Sequence, residues 1–463
     1  MPVLRLLVCG RPSHELDGAA ILNNPTTRTS EPTCPLAVAA ARGHTAVVLF
    51  LLDHGASVWV YEEEALMKAA AHGHADVVKL LLQRGADARV QNDKVLAVAA
   101  EGGSVEVMRL LLEDSISQDR RDALNAAIAA AAQWGRTEVV QYLLHFCTKT
   151  SITLNLDNAL VLASRHGHTA TVVLLLASGA DAQTHHNEPL ILSSWFGHTL
   201  VVQLLLAAGA DPHVQNDKPL FKAAEWGHIA TVRALLAAGA DPTARDGELL
   251  IEAARWGHTP LVELLLTLEL ASPPTSPAAN PTRARVHQHA ALSAAVHGHA
   301  DALRVLLTTC PSVDLSVASD VVHTALIRSA RRGHVASTQL LLEHLGDAAP
   351  IHALNDAFVL AAEGGNEAIV AMLLDHGADV HARDDDALVK ALEVVNEGMV
   401  RLLIRRGADV RTSGRALMKT AKRERRWALA EAMERAVNVH TRDIEVAEAF
   451  LQELSHELQH KAV

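Results

Sequence analysis

The chain has few aromatic residues, few cysteines and no long uncharged apolar run. Only 3% of its 463 residues are Phe, Trp or Tyr although 49% are hydrophobic, so a core must be built from Ala, Leu and Val. Its four cysteines (Cys9, Cys34, Cys147 and Cys310) form no CxxC pair, which excludes a disulfide-dense fold and favours a reducing compartment. No stretch approaches the ~18 uncharged apolar residues of a membrane span. These absences predict a cytoplasmic protein without membrane insertion, with the nucleus as the alternative location.

Basic residues are outnumbered by acidic ones. The chain has 41 Lys and Arg against 53 Asp and Glu, a formal net charge of −12 with histidine counted neutral. Nucleic-acid binding needs a basic surface that neutralises phosphates, so the composition predicts no nucleic-acid partner. One basic segment is the exception, and its members are Arg401, Arg405, Arg406, Arg411, Arg415, Lys419, Lys422, Arg423, Arg425 and Arg426. It indicates a solvated terminal face, a site for an acidic partner or a nuclear-import segment.

The signatures of common catalytic sites are also missing. The chain has no Gly-rich phosphate loop, no GxSxG elbow and no kinase signature set. His456, Glu457 and His460 spell HExxH, a spacing that could place two imidazoles around zinc with the glutamate as general base. Catalytic zinc needs a third protein ligand, and only three residues follow His460. We therefore predict no enzymatic activity and no cofactor, with a zinc-dependent hydrolase as the alternative.

What the sequence does contain is an internal repeat of about 30 residues. The dipeptide Gly-His occurs at Gly43, Gly73, Gly167, Gly197, Gly227, Gly257, Gly298 and Gly333. Degenerate copies fill the gaps at Gly103, Gly135, Gly365 and Val395. Such self-similarity predicts a stack of similar structural units.

Residues 66–87, LMKAAAHGHADVVKLLLQRGAD, show how one repeat folds. Leu66, Ala69 and Ala70 form an i, i+3, i+4 stripe, which predicts a short first helix with a small-residue face. Gly73 breaks this helix, a second begins around Ala75, and Gly85 is predicted at its left-handed C′ position. Asn or Asp near the starts of the first helices predicts side-chain N-caps, as at Asp157-Asn158 and Asn355-Asp356. Each repeat is therefore a helix-turn-helix that buries its apolar surface only by stacking.

The pattern GH…VVxLLLxxGAD resembles the ankyrin repeat, and about twelve or thirteen copies extend over roughly residues 35–437. The resemblance implies an all-α solenoid that binds proteins. The TPLH box of that family is missing, and the short distance from Gly85 to Leu96 predicts hairpin fingers shortened by about three residues.

Composition divides the array into segments. Residues 1–34 are predicted as a decayed N-terminal unit and lead-in, 35–270 as a first sub-array, and 271–289 as a Pro-, Ser- and Ala-rich linker or loop. Residues 290–437 are predicted as a second sub-array and 438–463 as a C-terminal capping helix.

The two residues before each Gly-His, here the pre-glycine pair, end the first helix of each repeat. In ankyrin proteins these positions commonly face a concave groove and contact partners. Four of the six tryptophans of the chain occupy this register. Because tryptophan and arginine dominate interface hot spots, we predict a partner-binding groove formed by Trp134, Arg165, His166, Trp195, Phe196, Glu225, Trp226, Arg255, Trp256 and His297.

Two other interpretations of these aromatic residues remain open: they pack between repeats as core, or they were copied when repeats duplicated. The Gly-His histidines are too far apart to form a tetrahedral zinc site and are predicted to bond backbone groups at the turn, as in the family. The sequence thus predicts a monomeric, non-catalytic scaffold or adaptor for a protein partner. The substrate-recognition subunit of a larger complex, such as a ubiquitin ligase, is the alternative.

Overall fold

A computed structural model describes residues 34–59, 63–112, 120–271, 279–310, 319–346, 349–393 and 396–408. Within these ranges the chain forms 24 α-helices and no strand. The first twelve are α1 (Pro35–Ala41), α2 (Thr45–Asp53), α3 (Glu64–Ala71), α4 (Ala75–Gln83), α5 (Val90–Gly102), α6 (Val105–Leu112), α7 (Arg121–Gln133), α8 (Thr137–Thr150), α9 (Asp157–Arg165), α10 (Thr169–Ala177), α11 (Thr184–Trp195) and α12 (Thr199–Ala207). The others are α13 (Val214–Glu225), α14 (Ile229–Ala237), α15 (Glu248–Arg255), α16 (Thr259–Ala271), α17 (Ala279–His297), α18 (Ala300–Thr309), α19 (Ser319–Arg332), α20 (Val335–Leu345), α21 (Ile351–Glu363), α22 (Glu367–Asp375), α23 (Ala382–Glu393) and α24 (Glu397–Arg405).

The helix pair α3–α4 forms as its sequence predicts. Leu66, Ala69 and Ala70 are fully buried on the inner face of α3. Gly73 has a φ of +73° and ends the turn, and α4 begins two residues later at Ala75. Gly85 has a φ of +91°, the left-handed conformation that closes a helix at little cost when no Cβ is present. Local residue preferences therefore account for the whole pair.

The helix pairs form two bodies, and within each body they stack in chain order. Contacts between Cα atoms divide the chain into an N-terminal body (residues 1–223 and 230–240) and a C-terminal body (residues 224–229 and 241–463). In each body, first helices pack on first helices and second helices on second helices, as α7 packs on α5 and α9, and α8 on α6 and α10. Alanines such as Ala70 and Ala132 lie at these first-helix contacts and are fully buried. The predicted all-α repeat solenoid is confirmed.

The polar residues near the first-helix starts do not act as predicted. Asp157 is the first residue of α9 and Asn355 lies inside α21, and neither helix has a side-chain cap. The Asn355 side chain instead accepts a hydrogen bond of 2.8 Å from the backbone N–H of Asp379, in the loop after α22. Asn187 accepts the corresponding bond from Asp211. The N-cap prediction was wrong, because these side chains link the start of a repeat to its end.

The predicted segments lie only partly within the described residues. Helix α17 begins at Ala279, so the later part of the predicted 271–289 linker is helical. The predicted decayed unit (1–34, apart from Cys34), the capping helix (438–463) and the HExxH residues lie outside the described residues. In the described part of the chain, no helix is both long and apolar enough to cross a membrane. The segment boundaries stay predictions.

The cysteines that the structure describes, Cys34, Cys147 and Cys310, are buried and unpaired. Burial raises the pKa of the Cys147 thiol to about 11. This thiol therefore stays protonated and acts as a small apolar core group rather than as a nucleophile.

Candidate interaction surface

The pre-glycine pairs lie where each first helix ends. Trp195 is the last residue of α11, Trp134 follows α7, and Trp256 follows α15. The glycine after each pair has a positive φ, as at Gly135 (+64°) and Gly257 (+72°), so the chain reverses at once into the second helix. This sharp turn leaves the pair at the edge of its repeat.

A histidine from the next repeat holds several of these turns in place. The Nε2 atoms of His74, His168, His198 and His258 lie 2.9–3.0 Å from the carbonyl oxygens of Ala41, Gln133, Arg165 and Glu225. The predicted backbone role of these histidines is confirmed, with the acceptor in the preceding repeat. In each case this acceptor is the first residue of a pre-glycine pair, so stacking of the next repeat fixes the backbone of the candidate surface.

The turn glycine makes room for this histidine. An ideal Cβ on Gly167 would lie 2.5 Å from Nδ1 of His198, and one on Gly43 would lie 2.6 Å from Nδ1 of His74. Atoms at such distances overlap. The Gly-His dipeptide therefore serves two interfaces, because its glycine receives the next histidine and its histidine reaches back to the previous turn.

The aromatic residues of the pre-glycine pairs are open to solvent. The exposed fractions are 53% for Trp134, 43% for Phe196, 57% for Trp226 and 51% for Trp256, whereas Trp195 is half-buried. Large aromatic side chains usually lose most of their exposure in a fold. These four rings therefore contribute little to the buried core.

In the N-terminal body, Trp195 and Phe196 stack on each other with ring centroids 5.7 Å apart and planes 9° from parallel. The Arg165 guanidinium carbon lies 5.9 Å from the centroid of Phe196, and Lys222 Nζ lies 4.9 Å from the centroid of Trp195. Both distances suit cation–π contacts. Repeats on either side thus place a cation against this aromatic pair.

The C-terminal body arranges its pairs differently. Glu252 accepts a hydrogen bond of 3.1 Å from Trp256 Nε1 and forms an ion pair of 3.3 Å with Arg255, which also lies 5.9 Å from the Trp256 ring. The half-buried His297 ring bonds the Ser293 carbonyl through Nδ1. Arg255 and Trp256 are therefore brought together, whereas Trp134 and Trp226 have no ring or cation contact within the described residues.

The repeats of this chain match those of a known protein family. A sequence profile for ankyrin repeats in blocks of three copies matches residues 2–92, 66–153, 128–216, 160–246, 195–273, 220–319 and 292–384. The chain belongs to the ankyrin-repeat family. Among solved structures, the crystal structure of the human ASB11 ankyrin repeat domain is similar at 23% identity and a TM-score of 0.37. The similarity covers 45% of this chain and 100% of that one. No curated protein matches the chain.

The sequence analysis missed one position that contacts the pre-glycine pairs, the residue five before each turn glycine. Lys222 and Glu252 occupy it and contact Trp195 and Trp256. Leu162 and Leu192, both half-buried, occupy it in the two preceding repeats. The position lies one helical turn before the pre-glycine pair, so the i, i+4 spacing of a helix could have identified it.

The remaining sequence candidates form no metal site in the described part of the array. The rings of His72 and His74 stack 6.1 Å apart, and His166 and His168 do the same. No group of three potential metal ligands occurs among the described residues. Of the basic segment, Arg406 forms an ion pair of 2.6 Å with Asp375, and residues 411–426 lie outside the described ranges.

The stability of the ankyrin stack is expected to fall with acidification. Desolvation lowers the pKa of His299 and His334 in the folded chain, and nearby positive groups (His297 and His258 for His299, Arg332 for His334) lower it further. The unfolded chain then takes up protons at higher pH than the folded one, so stability is lost as pH falls below the unfolded histidine pKa of about 6.5. We expect the urea midpoint to decrease between about pH 7.5 and pH 5.5.

A non-titrating variant tests this assignment. Asn366 occupies the same register as these histidines and donates its Nδ2 to the Ala330 carbonyl at 3.0 Å. His299→Asn/His334→Asn should keep the hydrogen bonds and show a smaller loss of midpoint on acidification. An equal loss in both proteins would assign the pH dependence to other groups.

Proposed function

We propose that the chain is a non-catalytic scaffold or adaptor that binds a protein partner through its pre-glycine surface. The observation that carries this proposal is the exposure of Trp134, Phe196, Trp226 and Trp256 at one register of the repeat. Aromatic side chains bury a large area on binding at low entropic cost, since only two χ angles become fixed. Membership of the ankyrin family supports a protein as the partner class.

The packing of the surface supports the same function. The pre-glycine pairs end helices held by stacking, and at several of them a histidine of the next repeat bonds the backbone carbonyl, as His198 bonds that of Arg165. A surface fixed before binding loses little conformational entropy when a partner docks. The repeats therefore supply the rigidity, and the pre-glycine side chains supply the contacts.

The experiment compares full-length wild-type protein with Trp195→Ala/Trp226→Ala/Trp256→Ala. Quantitative mass spectrometry of proteins retained from native lysate identifies candidates, and each is then purified and titrated directly. We expect the triple variant to bind a true partner at least about 100-fold more weakly, because hot-spot residues contribute about 2 kcal/mol or more each.

Trp59→Ala is the matched control. Trp59 is 66% exposed but lies outside the register, in the loop after α2, where its Nε1 donates to the Gly85 carbonyl. Circular dichroism establishes that all variants remain helical. A partner whose affinity is unchanged by the triple variant, or falls equally with Trp59→Ala, contradicts the proposal.

A further inference from the structure

Two cations contact Trp195 and Phe196. Arg165 lies over Phe196 and Lys222 lies over Trp195. The His198 ring lies 6.2 Å from Phe196. Glu188 lies 3.5 Å from His185, at the other end of α11, and Glu225 lies three residues after Lys222. The groups shown to contact the two rings are therefore two cations and a histidine.

Arg165 makes no ion pair with any residue that the structure describes. The corresponding arginine of the C-terminal body, Arg255, has Glu252 three residues earlier and pairs with it. Arg165 has Leu162 at that place, so the helical turn before it provides no carboxylate. The Arg165 charge is thus available to a ligand.

The pKa of His166 agrees with a positive charge at Arg165. Desolvation lowers this pKa first, and Arg165 lowers it next, ahead of His168 and His198. The permanent charge among these neighbours is that of Arg165, which favours an anion.

Two leucines lie in the same part of the repeats as these cations. Leu162 and Leu192 occupy the position one turn before the pre-glycine pairs of their repeats, and both are half-buried. The side chains in order along the repeats are thus a cation at 165, aromatic and aliphatic groups at 192, 195 and 196, and a cation at 222.

We propose that this cluster (Arg165, Leu192, Trp195, Phe196 and Lys222) binds an acidic segment of the protein partner in extended conformation. An apolar side chain of the segment packs on Trp195 and Phe196, and Asp or Glu side chains on either side of it approach Arg165 and Lys222. The distances from Arg165 to Phe196, across to Trp195 and on to Lys222 are together no longer than an extended peptide of about five residues. The inference rests on the proposed function and adds the chemistry of the ligand.

A nucleic acid would also present negative charge but suits the surface less well. Its phosphates require a long basic stripe, whereas this cluster has two cations flanking an apolar centre in a chain of net charge −12. A short acidic peptide matches both the number of charges and the apolar centre.

Selection from a random peptide display library on the immobilised full-length protein tests this inference. We expect the enriched peptides to carry Asp or Glu on both sides of an apolar residue. Synthesised peptides are then titrated by fluorescence anisotropy. Arg165→Glu/Lys222→Glu should weaken them at least tenfold, and raising the salt concentration should weaken their binding to wild type.

The matched control is Lys79→Glu/Arg233→Glu. Both residues are exposed on second helices, six residues after a turn glycine, and the double variant changes the net charge by the same amount. It should bind the same peptides with unchanged affinity. If it weakens them as much as Arg165→Glu/Lys222→Glu does, the effect is one of net charge and the inference is wrong.

The remaining outcomes separate the two proposals. The double alanine variant is Trp195→Ala/Phe196→Ala. If the selected peptides bind this variant more weakly than wild type but carry no acidic residues, the acidic ligand is wrong and the protein-binding function stands. Peptides that bind equally well to the double alanine variant would contradict the binding function of this surface. A 20-nucleotide single-stranded DNA that binds more tightly than the peptides, with the same dependence on Arg165 and Lys222, would replace the acidic peptide with a nucleic acid.

Discussion

Replacing Gly167 with alanine is expected to lower the free energy of unfolding by about 3 kcal/mol. A left-handed conformation costs an L-residue about 1–2 kcal/mol, and the φ of Gly167 is +74°. The new Cβ would also displace His198, breaking its hydrogen bond to the Arg165 carbonyl. A lost hydrogen bond with one partner left unpaired adds about 1–3 kcal/mol. Urea unfolding followed by circular dichroism measures the change.

Gly179→Ala separates the two contributions. Gly179 has a φ of +94°, but an ideal Cβ there would have no atom within 4 Å. It should therefore show only the conformational cost of about 1–2 kcal/mol. Ser104 stands opposite Gly73 in the place of the histidine, so Gly167→Ala/His198→Ser should be more stable than the sum of its single changes predicts. Equal losses for Gly167→Ala and Gly179→Ala would show that the histidine contact contributes nothing.

Replacing Arg120 with methionine is expected to cost about 3–5 kcal/mol, the usual effect of removing one partner of a buried ion pair. Arg120 is 3% exposed and lies 2.6 Å from the Asp93 carboxylate, whose side chain is 13% exposed. It also donates to the Leu111 carbonyl. Methionine fills a similar volume but leaves the aspartate without a counter-charge. Urea unfolding measures the change in the free energy of unfolding. Hydrogen exchange shows whether α5 and α7 are the helices that lose protection.

The matched variant is Arg120→Met/Asp93→Asn, which removes both charges. Asn tolerates the positive φ of Asp93 (+62°), so the backbone there need not change. We expect the double variant to recover a large part of the lost stability. If it is no more stable than Arg120→Met, the loss comes from packing and not from the unpaired carboxylate.

Features that depend on neighbours in sequence were predicted correctly. The buried stripe of α3, the start of α4 at Ala75 and the left-handed Gly85 each follow from residues within one helical turn of the feature. The exposure of the aromatic pairs could not be derived in this way. A ring at the end of a helix can turn towards solvent or towards the next repeat, and the repeat pattern alone does not distinguish these positions.

Features that depend on another part of the chain were predicted incompletely. Asn355 was predicted as an N-cap because it precedes an apolar run, yet it lies inside α21 and binds the loop after the second helix of its repeat, as Asn187 does. The histidines were predicted to bond backbone, but their acceptors lie in the preceding repeat. Lys222 and Glu252 were missed because the aromatic residues defined the register that was considered. A single repeat carries no information about which group of its neighbour lies opposite.

The contact between the turn glycine of one repeat and the histidine of the next affects how the number of repeats can evolve. Gly167 receives His198, 31 residues later, whereas Gly257 receives His299, 42 residues later, because α16 and α17 are longer than α10 and α11. The same contact is thus made in repeats of different length. Recombination that duplicates or deletes a whole repeat joins compatible ends without any new surface having to evolve. The number of repeats, and with it the number of side chains offered to a partner, can therefore change in single genetic events while every junction stays intact.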